Sequence, residues 1–162
     1  MTGLKYLCSI LSIAALGLAI SVGDVRADTA SAAKKPIVIN SDGGGKIQDR
    51  IDLLEHLRVS DTPVEIRGMI CASSCTMYLG LPDVCISRNT RFGFHGPSLK
   101  GKPLSPELFE VWSQKMADWY PEPIKAWYLK TARFEIRKAY WMSGEKLIGY
   151  GFQECKGWKF AL

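Results

Sequence analysis

The sequence predicts an α/β fold, with a mainly parallel sheet in the first half of the chain and a helical C-terminal half. Three observations carry this. Short β-branched runs at Ile37-Val38-Ile39, Val64-Glu65-Ile66 and Val84-Cys85-Ile86 each stop near turn-forming residues. An apolar stripe at helical spacing, Ile47, Ile51, Leu54 and Leu57, separates the first two runs. Beyond Ser105 the apolar pattern is helical. Strands alternating with helices imply parallel strands joined by right-handed βαβ crossovers.

The elements follow in order. Ile37–Ile39 is a buried strand that runs into the turn Asn40-Ser41-Asp42-Gly43-Gly44-Gly45, and the Ile47–Leu57 helix ends before Asp61-Thr62-Pro63. Val64–Ile66 is the second strand and leads through Gly68 to Ile70. Cys71-Ala72-Ser73-Ser74-Cys75 is a strand end passing into a short helix from Thr76 to about Leu81. Val84–Ile86 is the third strand. Arg91-Phe92-Gly93-Phe94-His95 is the fourth, closed by Gly96-Pro97. Ser105 caps a helix with Pro106 in its first turn. Its stripe is Leu108, Val111, Trp112, Met116 and Trp119, with Leu108, Val111 and Trp112 assigned to the core. Pro121 and Pro123 break the chain, a second helix runs from about Ile124 to Phe134, and Ser143 caps a last short helix ending near Tyr150-Gly151. The stretch from Trp119 to Trp127 is a candidate self-association face.

The N-terminus fixes the expected compartment. Lys5 precedes the apolar run Leu7 to Val22, and Val25-Arg26-Ala27 reads as a signal-peptidase site. Residues 1–27 are therefore a secretory signal, 28–35 a flexible leader and 36–162 one domain. The 16-residue run is shorter than the roughly 20 residues that span a bilayer, so no membrane attachment is expected after cleavage. The destination is the periplasm or the exterior. Without the signal the chain carries 19 basic and 15 acidic residues, a net of +4. These charges are scattered with no basic stripe, which argues against nucleic acid as a partner. Cys71, Cys75, Cys85 and Cys155 are an even set in an exported chain and predict two disulfides in one of three pairings. His56 and His95, the only histidines, form no ligand motif with them, so neither a metal nor another cofactor is expected.

Three features carry chemistry together. The glycine turn after the first strand allows a backbone N–H to point at a ligand. Ser73 stands at a strand-to-helix junction, where the N–H of Ser74 is free of the helix ladder. His95 ends a strand, and histidine is the usual base for a serine nucleophile. The N–H groups of Gly44 and Ser74 are candidates for an oxyanion hole. Alone, each feature has an ordinary structural reading as a turn, a helix cap or a packed ring. Their chain order is the informative part.

That order resembles the proteolytic subunit of the Clp protease. Ile39-Asn40-Ser41-Asp42-Gly43-Gly44 is similar to its Ile-Asn-Ser-Pro-Gly-Gly, and Cys71-Ala72-Ser73-Ser74-Cys75 falls at its Ala-Ala-Ser-Met-Gly. Phe94-His95-Gly96-Pro97 falls at its Ile-His-Gln-Pro, and the segment from Met142 to Gly151 is similar to its Leu-Ser-Ala-Pro-Glu-Ala-…-Tyr-Gly. The pattern is most like that of uncharacterised exported bacterial proteins with Cys-x-Ser-x-Cys-Thr and a later Gly-Phe-His. The resemblance, over about residues 36–155, implies the Clp/crotonase fold, a spiral of ββα units that commonly forms homo-oligomers. It assigns Ser73 as nucleophile, His95 as base, and Gly44 and Ser74 as oxyanion donors. The family's catalytic aspartate falls at Ala139, and Glu135 is the nearest preceding acid. The implied function is a serine hydrolase, peptidase-like, acting on a peptide or acyl substrate. The alternative is a catalytically weak or inactive exported module of the same fold that acts by binding or assembly. An acyl-CoA enzyme of the crotonase type also uses paired N–H donors, but an exported protein rarely meets coenzyme A.

Overall fold

The structure, a computed structural model, describes residues 34–157. The expected signal (1–27) and most of the leader (28–35) lie outside the described residues.

The short β-branched runs form strands where the sequence places them. Strand β1 (Ile37–Ile39) leads into helix α1 (Ile47–Val59), which returns the chain to β2 (Val64–Ile66). Strand β3 (Ile70–Ala72) runs into a 3₁₀ helix (Ser73–Gly80), then β4 (Val84–Ile86) and β5 (Arg91–Phe94). One sheet is wholly parallel, in the order β1-β2-β4, with Ile37 opposite Val64 and Ile66 opposite Ile86. Leu54 and Leu57 of α1 are buried in the core beside Val64, Ile66 and Ile86.

The chain changes sheets at Gly68. The amides of Arg67 and Gly68 both donate to the Ile39 carbonyl at 3.0 Å. A Cβ on Gly68 would lie 0.9 Å from the Asn40 carbonyl oxygen, so only glycine allows this crossing. The second sheet has the order β3-β5-β8, with β3 parallel to β5 and β8 (Tyr140–Ser143) antiparallel to it. The architecture is thus mixed α/β with small sheets.

The helical half contains a hairpin of β6 (Ser98–Leu99) and β7 (Lys102–Pro103), then helices α2 (Pro106–Ala117), α3 (Ile124–Lys130) and α4 (Gly144–Gly149). Ser105 and Ser143 cap α2 and α4 as expected, accepting from the amides of Leu108 and Lys146. The expected second helix is shorter. It stops at Lys130, and a 3₁₀ turn at Ala132–Phe134 follows.

The inward face of α2 differs from the expected one. Leu108 and Val111 are half exposed and Trp112 is intermediate, while Ser113, Met116 and Ala117 are buried. Small residues at 113 and 117 let the helix approach its neighbours closely, which rotates the contact stripe off the most apolar positions. Trp119, expected at an association face, is only 9% exposed, with the Arg58 guanidinium 5.0 Å from its ring. Trp127 packs edge-on against Phe94 at 5.3 Å.

The disulfides are Cys71–Cys75 and Cys85–Cys155. The second ties β4 to the C-terminal segment, where Ile86 N–H donates to the Gln153 carbonyl and Cys155 N–H to the Ile86 carbonyl. Two disulfides fit an exported protein. Among the described residues no helix is long and apolar enough to cross a membrane.

Candidate functional site

The glycine turn and the serine meet through backbone pairing. After β1 the chain runs beside β3: Asp42 N–H donates to the Ile70 carbonyl, and Ala72 N–H donates to the Asp42 carbonyl, both at 2.9 Å. This sets Gly44 against Ser73. Gly44 has φ +95°, and a Cβ there would lie 2.4 Å from Ser73 Cβ and 2.9 Å from Ser73 Oγ.

Ser73 is at φ +57°, in the left-handed region that a non-glycine residue rarely occupies. Strain of this kind costs about 1–3 kcal/mol and persists only where the surroundings impose it. Here the Cys71–Cys75 disulfide spans the serine, and both cysteines are fully buried. Behind it, Thr76 Oγ1 donates to the Ser73 carbonyl at 2.7 Å and shares a hydrogen bond with Tyr120 Oη.

The two proposed N–H donors differ in their present partners. Ser74 N–H belongs to the first turn of the 3₁₀ helix, whose cap residue offers no side-chain bond. The Ser74 side chain is buried and its hydroxyl donates to the Gly45 carbonyl at 3.4 Å. Gly44 N–H instead donates to Asp42 Oδ1 at 2.7 Å. Asp42 Oδ2 accepts from Arg50, which also donates to Tyr78 Oη. The Asp42 and Arg50 side chains are 20% and 11% exposed. Burial raises the Tyr78 phenol, with Arg50 opposing. Sequence reasoning missed this network. Its one local signal is an aspartate two residues before Gly44, a spacing suited to a side-chain bond back to the turn.

His95 lies just past β5. Its Nδ1 is 2.7 Å from the Gly96 carbonyl, which can only accept, so Nδ1 is the donor and the neutral tautomer that fits has its lone pair on Nε2. Tyr128 Oη donates to the His95 carbonyl at 3.3 Å, and Gly96 N–H donates to the Glu135 carbonyl at 2.7 Å. The peptide frame of the histidine is therefore held on both sides.

Ser73 and His95 line one cleft of about 350 Å³, with Ile47, Leu104, Trp112 and Met116 among its apolar walls. Among the described residues no hydrogen bond joins Ser73 Oγ to His95. Ala139 lies beside His95 in a second hollow, the place the resemblance gives to an acid. Glu135 is turned into its own loop, where Oε1 accepts from the Arg137 and Lys138 amides at 3.0 Å each. Those bonds hold its carboxyl below the usual range. The other histidine, His56, is exposed on α1. All four candidate cysteines are consumed in disulfides, and among the described residues no cluster of three His, Cys, Asp or Glu side chains is suited to a metal.

No family model matches the chain, and no curated protein matches it.

Proposed function

We propose that the chain is an exported serine hydrolase, peptidase-like, with the Clp/crotonase type of fold and Ser73 as nucleophile. The observation that carries this is the serine itself. It is held at positive φ in a disulfide-spanned elbow, against a glycine turn, in one cleft with His95. Unusual backbone at a cleft-facing nucleophile is a mark of functional sites.

In this reading Ser73 Oγ attacks the acyl carbon and its proton passes to His95 Nε2. The carbonyl oxygen becomes an oxyanion facing Ser74 N–H and, once Asp42 Oδ1 gives it up, Gly44 N–H. The C–N bond then breaks and His95 hands its proton to the departing amine. Water repeats the steps to free the acid and restore the hydroxyl. The Gly96 carbonyl stands in for the missing carboxylate by fixing the tautomer of His95. It adds no full negative charge beside an imidazolium. In the trypsin case, changing the acid costs about 10⁴ in rate, so slow turnover is expected. The two disulfides suit a periplasmic or secreted setting.

A second reading, a non-catalytic binding or assembly module, is favoured by the carboxylate on Gly44 N–H and by the alanine, Ala139, beside His95 at the place the resemblance gives to an acid. A fluorophosphonate probe with adduct mapping decides between them. The hydrolase reading expects labelling at Ser73, its loss in Ser73→Ala, and a rate about 10²-fold lower in His95→Ala. Folded protein that stays unlabelled in both oxidised and reduced buffer overturns it and leaves the binding module.

A further inference from the structure

His95 borders two hollows. One is the cleft that holds Ser73. The other, of about 550 Å³, is lined by His95, Ile136, Arg137, Lys138, Ala139 and Trp141. No acidic side chain lines either of them. The acid next in the chain, Glu135, gives its carboxylate to the amides of its own turn, with the Lys138 charge already beside it. Arg137 is different. It is exposed, and its guanidinium makes no hydrogen bond or salt bridge among the described residues. The Arg91 guanidinium lies 4.7 Å from the ring of Trp141 at the hollow's wall.

These surroundings leave one charge of the proposed reaction unanswered. When Ser73 gives its proton to His95, the ring becomes an imidazolium. The Gly96 carbonyl on Nδ1 orients the ring but brings no net charge. A carboxylate beside the imidazolium both orients and stabilises it. Ala139 offers only a methyl group there, and the space next to it is open. Arg137 supplies a cation that can hold an anion in that space, since a planar guanidinium matches a carboxylate through two parallel hydrogen bonds. We infer that the hollow beside Ala139 binds a small carboxylate anion, of the size of formate or acetate, as a dissociable third member of the site. The anion touches neither Ser73 nor the substrate and acts only through His95. Its own bonds do not change, and the proton still passes from Ser73 to His95 and on to the leaving amine. This inference rests on the hydrolase reading and adds an activator to it.

The test compares fluorophosphonate labelling of Ser73 in sodium formate and in sodium chloride of equal ionic strength. Formate should raise the rate about three- to tenfold and then saturate, a small part of the roughly 10⁴ that a built-in acid is worth. Ala139→Asp places the acid in the hollow. It should label at least as fast as the natural chain in formate, and formate should no longer quicken it. Ala139→Asn, of the same shape without the charge, should fall well short of that rate. Arg137→Gln should weaken the response to formate. His95→Ala should label slowly in both salts, because formate acts through the imidazole. Binding is also read without turnover, since the chain has only two histidines and His56 is exposed on α1. In nuclear magnetic resonance of isotope-labelled histidine, formate should shift the ring nitrogens of His95 and leave those of His56 in place. Labelling indifferent to formate, an equal formate effect in His95→Ala, or equal shifts at both histidines overturns the inference and leaves the hydrolase reading standing. Absence of labelling in every salt and in Ala139→Asp overturns both.

Discussion

At the scale of single residues the site turns on Asp42. Its position in the turn is the one occupied by proline in the Clp pattern, and its carboxylate takes the N–H that the proposed hydrolase reaction would use. A negative oxygen 2.7 Å from Gly44 N repels a developing oxyanion at the same donor. The charge is tolerated because Arg50 faces it in a largely enclosed pair. Asp42→Asn removes the charge and keeps the side-chain shape, so two effects of opposite sign are expected. Ser73 labelling should quicken about tenfold, because one oxyanion donor is worth about 10²–10³ and Asn competes for it less strongly. Stability should fall by about 2 kcal/mol in urea unfolding, because Arg50 loses its counter-charge. A folded variant whose labelling does not quicken removes Asp42 from any restraining role. The sequence made Ser73, Gly44 and His95 legible because each stands at a strand end with a recognisable local pattern. The pairing of Asp42 with Arg50 was not legible, since it needs α1 to turn back over the glycine turn.

At the scale of elements, local patterns placed β1, α1, β2, β4 and β5, because β-branched runs and helical spacing are local signals, although β1, expected to be buried, leaves Ile37 39% and Val38 41% exposed. Strand β8 was missed. Tyr140–Ser143 has no alternation of its own, and the antiparallel register with β5 that makes it a strand comes from elsewhere in the chain. The stripe of α2 was rotated because apolarity marked Leu108 and Val111, whereas Ser113 and Ala117 make the close contacts. The cysteine pairing lay equally beyond the sequence, since three connectivities fit four cysteines. The two disulfides should differ in what they contribute. Cys71–Cys75 closes a loop of sequence separation 4 and Cys85–Cys155 one of 70. Loop-closure entropy gives about 2 kcal/mol for the first and about 4 kcal/mol for the second. Replacing each pair by serines should therefore reverse their importance by assay. The Cys85/Cys155 variant should lose about twice as much stability in urea. The Cys71/Cys75 variant should lose more Ser73 labelling, because it frees the elbow to leave φ +57°. Equal labelling in the two variants would show that the elbow needs no clamp.

At the scale of the whole molecule, the helical half supports the site through two buried tyrosines. Tyr120, just past α2, shares a hydrogen bond with Thr76 behind the Ser73 elbow, and Tyr128 of α3 donates to the carbonyl of His95. Their rings meet edge-on at 5.0 Å. The aromatic residues of this half thus tie the Ser73 elbow and His95 to one core. Burial raises both phenols well above the ordinary value of 10.0. A raised pKa means that the folded state keeps its proton where the unfolded chain loses it. The stabilisation is therefore complete below about pH 10 and declines as the pH climbs beyond it. Each tyrosine then costs about 1.4 kcal/mol per pH unit, and the pair about 3 kcal/mol. A domain with stability on the order of 5–15 kcal/mol is exhausted within a few units. Alkaline titration followed by phenolate absorbance should show the more exposed tyrosines ionising first. Tyr120 and Tyr128 should ionise later, in one step that coincides with loss of circular dichroism. Tyr128→Phe removes one of the raised phenols, Tyr78 being another, and should make that alkaline limb shallower. Smooth ionisation of every tyrosine near pH 10 with the fold intact would mean that these rings are reachable by solvent and do not anchor the site.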